Sequence, residues 1–584
     1  MASDSSEPGT PAAPWDAADR ILLGRLPGGA IVAVALDRAG ETGRRPLSDA
    51  ELPAWVARRE AEAARRGSGV RWIWSSAADW YPALLAAGVR VSRCHDLRLC
   101  RAILALAAPD PAADADAVWA PTGEGDAAQA LFSLDAEAPR PDAFAATRAE
   151  YERQDEAIAR TADPGRMRLL LAAESAGGLV AAELRAAGLP WDAARHDQLL
   201  RAELGERRVG GVPARIAAAA AAVRAALGDP SASLDSQPKL LRALHRAGVP
   251  VESTSKWELA DHDHPVIEPL LEYKRLMRLY TANGWSWLDE WVRDGRFRPV
   301  YVPGGVVTGR WASSGGGALQ LPRSLRDAVR ADPGWVLIDA DVAQLEPRVL
   351  AAMARDERMA AAAGSDLYAG VVASGAVATR AEAKIAMLGA LYGATTGDAG
   401  RLVPRLRQVF PRAMGLVDAA AREGERGGQV STWLGRVSPP PGEAWRQTQR
   451  RASAPGAGSA EEQRARRAAR DQGRFMRNFV VQGTAAEWAL AWLADLRARL
   501  AAIEPVPEDR AARRSGPVFA RRPHLAFFLH DEVLVHAPAE RADEAAEAVR
   551  AAAEAAARLL FGTFPIAFPL DVHIGPSATK PAPG

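Results

Sequence analysis

The sequence predicts a protein of class α+β with more than one domain, and three stretches carry that reading. Residues 335–342, WVLIDADV, read as a buried strand that ends in acid. Residues 524–538, HLAFFLHDEVLVHAP, read as a β-hairpin whose apolar runs, 525–529 and 533–537, flank His530, Asp531 and Glu532 at the turn. Residues 380–393, RAEAKIAMLGALYG, read as a helix with a charged and aromatic stripe. At 584 residues the chain exceeds the usual size of one domain, and 48% hydrophobic residues can bury a sizeable core.

Taken in order, the first 164 residues suggest a small α/β region. IVAVAL (31–36), taken as its first strand, and WIW (72–74) are strand-like, and Ala/Pro/Asp-rich stretches at 107–126 and 134–146 read as loops. Residues 190–263 read as helices, with IAAAAAAV at 216–223 a high-propensity helical tract. In the strand 335–342, alternation places Leu337, Asp339 and Asp341 on one face. AQLEPRVLAAMARDE, which follows, reads as a helix in spite of Pro347.

In 380–393, four-residue spacing lays Arg380, Lys384, Leu388 and Tyr392 along one stripe, and Thr379 with Glu382 can form a capping box. The chain has 73 basic residues, of which only five are lysine (239, 256, 274, 384 and 580), so 68 are arginine. A lysine kept inside a helix of such a chain needs a reason. Two cations near a helix N-terminus suit a phosphate, and an aromatic further along suits a flat ring.

The acids at 341 and 531–532 suggest a divalent metal site. Two carboxylates about 4 Å apart repel by roughly 4 kcal/mol at an effective dielectric near 20. They stay ionised together only with a cation between them. Two hard cations can activate a hydroxyl, hold a leaving oxygen and bridge phosphates, and a lysine and an arginine would complete a phosphoryl-transfer site.

These stretches together resemble family A DNA polymerases, the group of bacterial DNA polymerase I. DVAQLEPRVL (341–350) is similar to that family's first polymerase motif, RAEAKIAMLGALYG to its fingers helix, and HDE (530–532) to its third motif. TGRWASSGGGALQLP (308–322) resembles the primer-template segment, RFMRNFVVQGTAAE (474–487) the helix that reads the minor groove, and HPVIEPLLEYKRLMRLYTANG (264–284) the thumb-to-palm helix. The six blocks keep the family's order over roughly residues 166–575. Asn478 is one of only two asparagines in the chain.

The resemblance implies a right-hand polymerase domain over 165–584. Its thumb would lie at about 190–280, its palm at about 300–350 and 474–584, and its fingers at about 351–473. The implied activity is template-directed addition of dNTPs to a primer 3′ end, in DNA repair or replication gap filling. Asp341 and Asp531 would hold two Mg2+ ions, or Mn2+, and Glu532 would support the site or the primer end. Arg380, Lys384, Glu346, Gln344, Tyr392 and Leu388 would bind the dNTP, with Lys384 able to protonate the leaving pyrophosphate. Arg310, Gln320, Arg348, Arg474, Asn478, Gln482 and His530 would contact primer-template DNA with little sequence preference.

Departures from the family pattern bear on nucleotide selection. Leu388 stands where the family stacks an aromatic on the nucleotide, and Tyr368 where it has a histidine. Ala318 and Leu321 replace asparagines of the primer segment, Val342 and Ala343 replace Tyr-Ser, and Pro347 is unusual in the first motif.

Ahead of the polymerase domain the family carries a ribonuclease H-like 3′–5′ exonuclease that needs four carboxylates, beginning with Asp-x-Glu on the first strand. Here that strand runs into ALDRAGE. Tyr151 and Asp155 match the last exonuclease motif, and Asp96 matches a structural aspartate. One ligand of four implies a degenerate, inactive domain over 1–164, and no stretch is left for a 5′-nuclease domain.

Cys94 and Cys100 offer neither a disulfide framework nor a four-ligand zinc spacing, which suits a reducing cytoplasm and a nucleoid-associated bacterial protein. No signal peptide or membrane-length apolar run is present, and a monomer is expected. A net charge of +1 neither demands nor excludes DNA. Nine arginines at 446–477 and another run at 510–522 read as solvated insertions, with DNA contact the alternative. Two rivals are a non-catalytic DNA-binding scaffold and a single-subunit RNA polymerase. Intact Asp341, Asp531 and Lys384 oppose the first, and Glu346 opposes the second.

Overall fold

The computed structural model describes residues 15–579, apart from 16–17, 38–39, 111–141, 209 and 395–396. Of the stretches read as loops, 111–126 and 134–141 lie outside the described residues, as does Lys580, while residues 144–146, read as loop, begin the helix Phe144–Arg160. By contacts the chain divides into two compact units. One holds residues up to Ala187 together with Tyr301–Ala312 and Ile338–Ile574, and the other holds Gly188–Val300, Ser313–Leu337 and the C-terminus. Among the described residues no helix is long and apolar enough to cross a membrane.

The first unit begins with a five-stranded sheet, β1 (Arg20–Arg25), β2 (Ile31–Leu36), β3 (Glu41–Leu47), β4 (Arg71–Trp74) and β5 (Arg93–Asp96), in the order β3-β2-β1-β4-β5. The strands β1, β2 and β3 are antiparallel, and β4 and β5 run parallel to β1. IVAVAL is therefore the second strand, not the first. The central strand, RILLGR, has a four-residue apolar core bracketed by arginines, which hides it from a hydrophobicity pass.

Alternation decides the two faces of this sheet. Ile21, Leu23, Ala33 and Trp72 pack with Trp55, Trp80, Tyr81 and Leu179. Leu22, Val34 and Ile73 face Leu97, Phe144 and Tyr151. Asp96 is the N-cap of the helix Leu97–Ala107, accepting from Leu99 N at 3.0 Å, and it also accepts from Ala77 N at 2.7 Å. That is the structural role expected for it.

The helix Pro164–Ala187 joins the sheet to the rest of the unit. Its buried Glu183 accepts from Tyr81 (2.7 Å) and pairs with Arg497 (2.6 Å) on the helix Ser459–Ala502. At 44 residues that helix is about 66 Å long. Its second half is buried on nearly every side, with Phe479, Trp488, Trp492 and Leu496 in the core. It crosses the helix Pro411–Glu425 where both backbones carry glycine. A Cβ on Gly424 would stand 2.8 Å from Gln472 O, and one on Gly473 would stand 2.9 Å from Ala421 O.

A second sheet has the strand order His524–Leu529, Glu532–Pro538, Trp335–Val342, Leu570–Gly575. The 524–538 hairpin forms as expected, with a register shift between Leu525 and Phe527. Tyr301 donates its hydroxyl proton to Phe528 O (3.0 Å) and pins the hairpin from outside.

The second unit is helical, with Ala193–Leu204, Ala214–Leu227, Gln237–Arg246 and Ile267–Asn283, and a small three-stranded sheet. Its core is aromatic: Trp191, His196, Trp287 and Phe297 lie at centroid separations of 4.8 to 5.7 Å. Most of the alanine tract is solvent-facing, and the helix is held by Ile216, Ala220 and Val223.

Candidate active site

Asp341 sits near the end of the strand Trp335–Val342 and Asp531 in the hairpin turn, where His530 has φ 57°. Val342 N donates to Asp531 O at 2.9 Å, so a backbone bond stitches the strand end to the hairpin tip. The two carboxyl groups are thereby neighbours. Burial, and next the charge of Asp341, push the Asp531 carboxyl up to about 6. Glu532 follows at the base of the second hairpin strand, largely buried. Asp341 and Asp531 form a pair of oxygen donors, the ligand type that hard divalent cations take, while among the described residues no group of three or more His, Cys, Asp or Glu side chains is gathered to hold a metal ion.

The helix Leu345–Met353 starts at Gln344, which takes a left-handed conformation (φ 50°). Pro347 falls in the first turn, where a missing N–H costs no helical hydrogen bond. Glu346 is half-buried and paired with Arg310, and Tyr392 donates to its other oxygen at 3.4 Å. The Tyr392 hydroxyl also meets Asn478. The Gln344 amide oxygen accepts from Leu367 N (3.3 Å) and Arg348 (3.1 Å).

Arg348 corrects the sequence reading. It does not reach DNA: it is fully buried and donates to the carbonyls of Ala343, Ala363, Gly364, Ser365 and Ala567. Burial draws its pKa down to about 10. Its place on the inner face of the helix, three residues from buried Leu345, makes it a bracket for the backbone around it.

The helix Arg380–Tyr392 keeps the expected stripe. Arg380, Lys384, Leu388 and Tyr392 are exposed, while Ala383, Ala386, Met387, Ala390 and Leu391 are buried. Met387 therefore points away from the space beside Leu388. Thr379 caps the helix, accepting from Glu382 N at 3.1 Å, but the Glu382 carboxylate takes Ala378 N (2.8 Å) rather than the N-cap amide. Arg380 is tied to Asp366 at 2.6 Å and lies over the Tyr368 ring at 5.5 Å. Lys384 has no ion pair among the described residues.

These parts surround a cavity of about 280 Å3. Arg310, Gln344, Glu346, Tyr368, Leu388, Tyr392, His530 and Asp531 line it, over an apolar floor of Trp311, Phe528, Ala485 and Leu490. Burial and the nearby Arg310 hold His530 below its ordinary pKa, which favours the neutral ring. Gln482 accepts from Thr308 at 2.8 Å. Arg474 is exposed and paired with Asp471. The side chain of Gln320 lies outside the described residues.

Several supporting residues escaped the sequence reading. Asp366 holds Arg380, Thr308 holds Gln482, and a buried network lies behind Gly309. There Arg436 pairs with Glu174 at 2.6 Å, and Glu487 accepts from Thr432 and from Leu434 N (2.9 Å). Gly309 has φ +85°, and a Cβ there would stand 2.6 Å from Arg436 Nε. Sequence signals existed for the Thr308–Gly309 pair and for Glu487, which fall inside quoted motifs, but none marked Glu174 or Arg436.

In the first sheet region, Tyr151 and Asp155 lie on the helix Phe144–Arg160, and Arg20 of β1 donates to the Tyr151 hydroxyl at 2.9 Å. No residue of β1 is a carboxylate.

DNA polymerase I, thermostable, of Thermus aquaticus is 28% identical over 344 residues, 53% of this chain and 36% of that protein. DNA polymerase I of Chloroflexus aurantiacus is 27% identical over 349 residues, 55% of this chain and 33% of that protein. The matched region thus spans about a third of the length of these relatives. The fold is similar to a solved polymerase domain of Pol1 from M. smegmatis, in complex with DNA primer-template and dNTP. That likeness has a TM-score of 0.66 at 18% identity and covers 98% of this chain and 99% of the other. The family model for DNA polymerase family A matches residues 241–579, more than half of the chain and all of the cavity-forming motifs. The protein belongs to DNA polymerase family A.

Proposed function

We propose that the chain is a template-directed DNA polymerase that extends a primer 3′ end with dNTPs, in DNA repair or replication gap filling. One observation carries the reading. Asp341, near the end of one strand, and Asp531, in the hairpin turn, converge closely enough for Asp341 to raise the Asp531 pKa, and Asp531 lines a cavity that also receives Leu388 and Tyr392 of the cation-bearing helix.

Asp341 and Asp531, with Glu532 beside them, would hold Mg2+, two ions in the full site, or Mn2+. Such cations supply Lewis acidity toward the primer hydroxyl and the phosphate oxygens. Arg380 exchanges Asp366 for the triphosphate, and Lys384, one turn on, takes its inner phosphates. The primer 3′ hydroxyl gives up its proton to solvent as its oxygen bonds to the α-phosphorus. The bond to pyrophosphate breaks, and the Lys384 ammonium donates the proton that the leaving group takes up. Glu346, held by Arg310 and Tyr392, lies against the sugar, and Gln344 orders the loop beneath it. Arg310, Gln320, Arg474, Asn478, Gln482 and His530 contact primer and template. A monomer in the cytoplasm suffices for this chemistry, and the buried thiols of Cys94 and Cys100 suit that compartment.

The first sheet region is, in this reading, a relic exonuclease-like domain. The Arg20 guanidinium beside Tyr151 puts positive charge where a metal-dependent exonuclease needs acids.

Primer extension with Mg2+ tests both parts. The wild-type chain extends a matched primer, and Asp341→Asn or Asp531→Asn still binds the DNA but incorporates nothing. A mismatched 3′ end is not degraded. Near-normal extension by either Asn variant overturns the site, and DNA binding without extension by the wild type would favour the scaffold reading.

A further inference from the structure

The strands β1, β4 and β5 each begin with an arginine on the same face of the sheet. Their register pairs Arg20 with Arg71 and Arg71 with Arg93, so three arginine side chains leave adjacent strands at neighbouring positions on one face. With neighbouring strands roughly 4.8 Å apart, the row is about 10 Å long. Like charges opposite one another in a sheet destabilise it unless something compensates.

Among the described residues none of the three forms an ion pair, although Arg20 also borders a second hollow lined by Asp37, Glu41, Glu152, Asp155 and Glu156. Arg20 donates to the Tyr151 hydroxyl and to Asp37 O, Arg71 to Cys94 O (3.1 Å), and Arg93 to Gly69 O. Burial, and next the charge of Arg93, draw the Arg71 pKa down. The row opens on a hollow of about 620 Å3. Ser68, Ser92 and the glycines of the 67–69 turn complete its wall, and Asp19 is the one acid at the rim among the described residues.

We propose that this row is a second nucleic-acid site, binding the phosphodiester backbone of a single DNA strand outside the polymerase cavity. Guanidinium groups present planar donor pairs that match phosphate oxygens, and hydroxyl and backbone donors beside them add contacts without base selection. The wall has no aromatic or aliphatic side chain, which disfavours a protein partner, whose interface would need apolar anchors. The length of the row and its open hollow suit successive phosphates of a strand better than one free phosphate.

The test is the salt dependence of binding of a labelled oligothymidylate to the full chain, read by fluorescence anisotropy. Each single-strand phosphate contact contributes about 0.7 to the slope of log affinity against log salt. Replacing Arg20, Arg71 and Arg93 together by Gln lowers the slope by about 2, and the exposed Arg93→Glu alone by about 0.7. Primer extension on a template with a short overhang stays at the wild-type rate in both. Unchanged slopes in both variants overturn the proposal. So does a variant that loses affinity for inorganic phosphate or dNTP while keeping the oligonucleotide slope, since the row would then serve free phosphates. If the triple variant fails to fold, the Arg93→Glu slope decides. Failure of the wild type to extend primers would sink the polymerase reading and leave this comparison standing.

Discussion

Leu388 and Glu346 both line the cavity, and in the proposed reading they would set which nucleotide it takes. Leu388 lines a space that Met387 does not fill, so an aromatic ring can be added there without displacing a buried side chain. A ring that stacks on a base gains about 1–3 kcal/mol. Leu388→Phe is expected to lower the dNTP KM by roughly tenfold with little change in kcat, as for a mainly ground-state contact. Single-nucleotide steady-state kinetics checks this, and a raised KM would mean that the pocket is shaped around leucine. Glu346 is fixed from two sides by Arg310 and Tyr392, which in the proposed reading would give it a defined edge toward the sugar. Glu346→Ala should raise rNTP incorporation relative to dNTP, because the 2′ hydroxyl then meets space. Glu346→Gln, nearly the same size, should leave the ratio close to wild type. Competition between the two nucleotide pools measures it, and an unchanged ratio in the Ala variant removes the gate from Glu346.

At the scale of the element, the helix Arg380–Tyr392 depends on its first turn. Thr379 supplies the cap, and Glu382 takes the preceding Ala378 amide, so two otherwise unserved donors are satisfied just ahead of Arg380 and Lys384. Thr379→Ala should cost about 1 kcal/mol of local helix stability. Hydrogen exchange over 380–384 should rise while the core helix Ser459–Ala502 stays protected, and the dNTP KM should rise with it. Equal exchange in the two proteins would show that packing of Ala383, Ala386 and Met387 alone sustains the turn. The adjacent helix Leu345–Met353 shows why an element can mislead. Its motif puts Glu346 toward the cavity, yet Arg348, two residues on, turns inward to collect carbonyls from three separate segments. A residue's role in a motif is decided by helical phase and by what packs behind it.

For the whole molecule, the network behind Gly309 ties pH to stability. Burial pushes the Glu487 carboxyl from 4.5 up to about 7. A folded-state pKa above the unfolded value means that its stabilising contribution is complete below about pH 4.5 and is lost as pH rises through about 7. Glu487→Gln can keep the acceptor for Leu434 N with its one amide oxygen, turn its amide N–H toward the Thr432 hydroxyl oxygen, and removes the charge. The variant's melting temperature should therefore exceed that of the wild type increasingly from pH 5 to pH 8, by up to a few kcal/mol of stability at the upper end. A constant difference across that range would show that Glu487 stays ionised, compensated by Arg436.

The acid-bearing strand, the hairpin, the exposed stripe and the capping threonine of the cation-bearing helix were all legible in the chain. Each is a local matter: a period of two or of 3.6, a turn residue, a side-chain cap, and each leaves its mark within a dozen residues. Most of the cavity's lining was legible for the same reason, since its residues lie in a few contiguous motifs. The pairing of Asp341 with Asp531 was expected from the sequence, but only the tertiary structure shows how acids 190 positions apart in the chain meet, through the backbone bond from Val342 N to Asp531 O. It also decided that RILLGR is the central strand, that Arg348 is buried, that Asp366 holds Arg380, and that three arginines from three strands form one row. Those outcomes depend on register and on packing between segments distant in sequence, and neither leaves a pattern in the residues nearby.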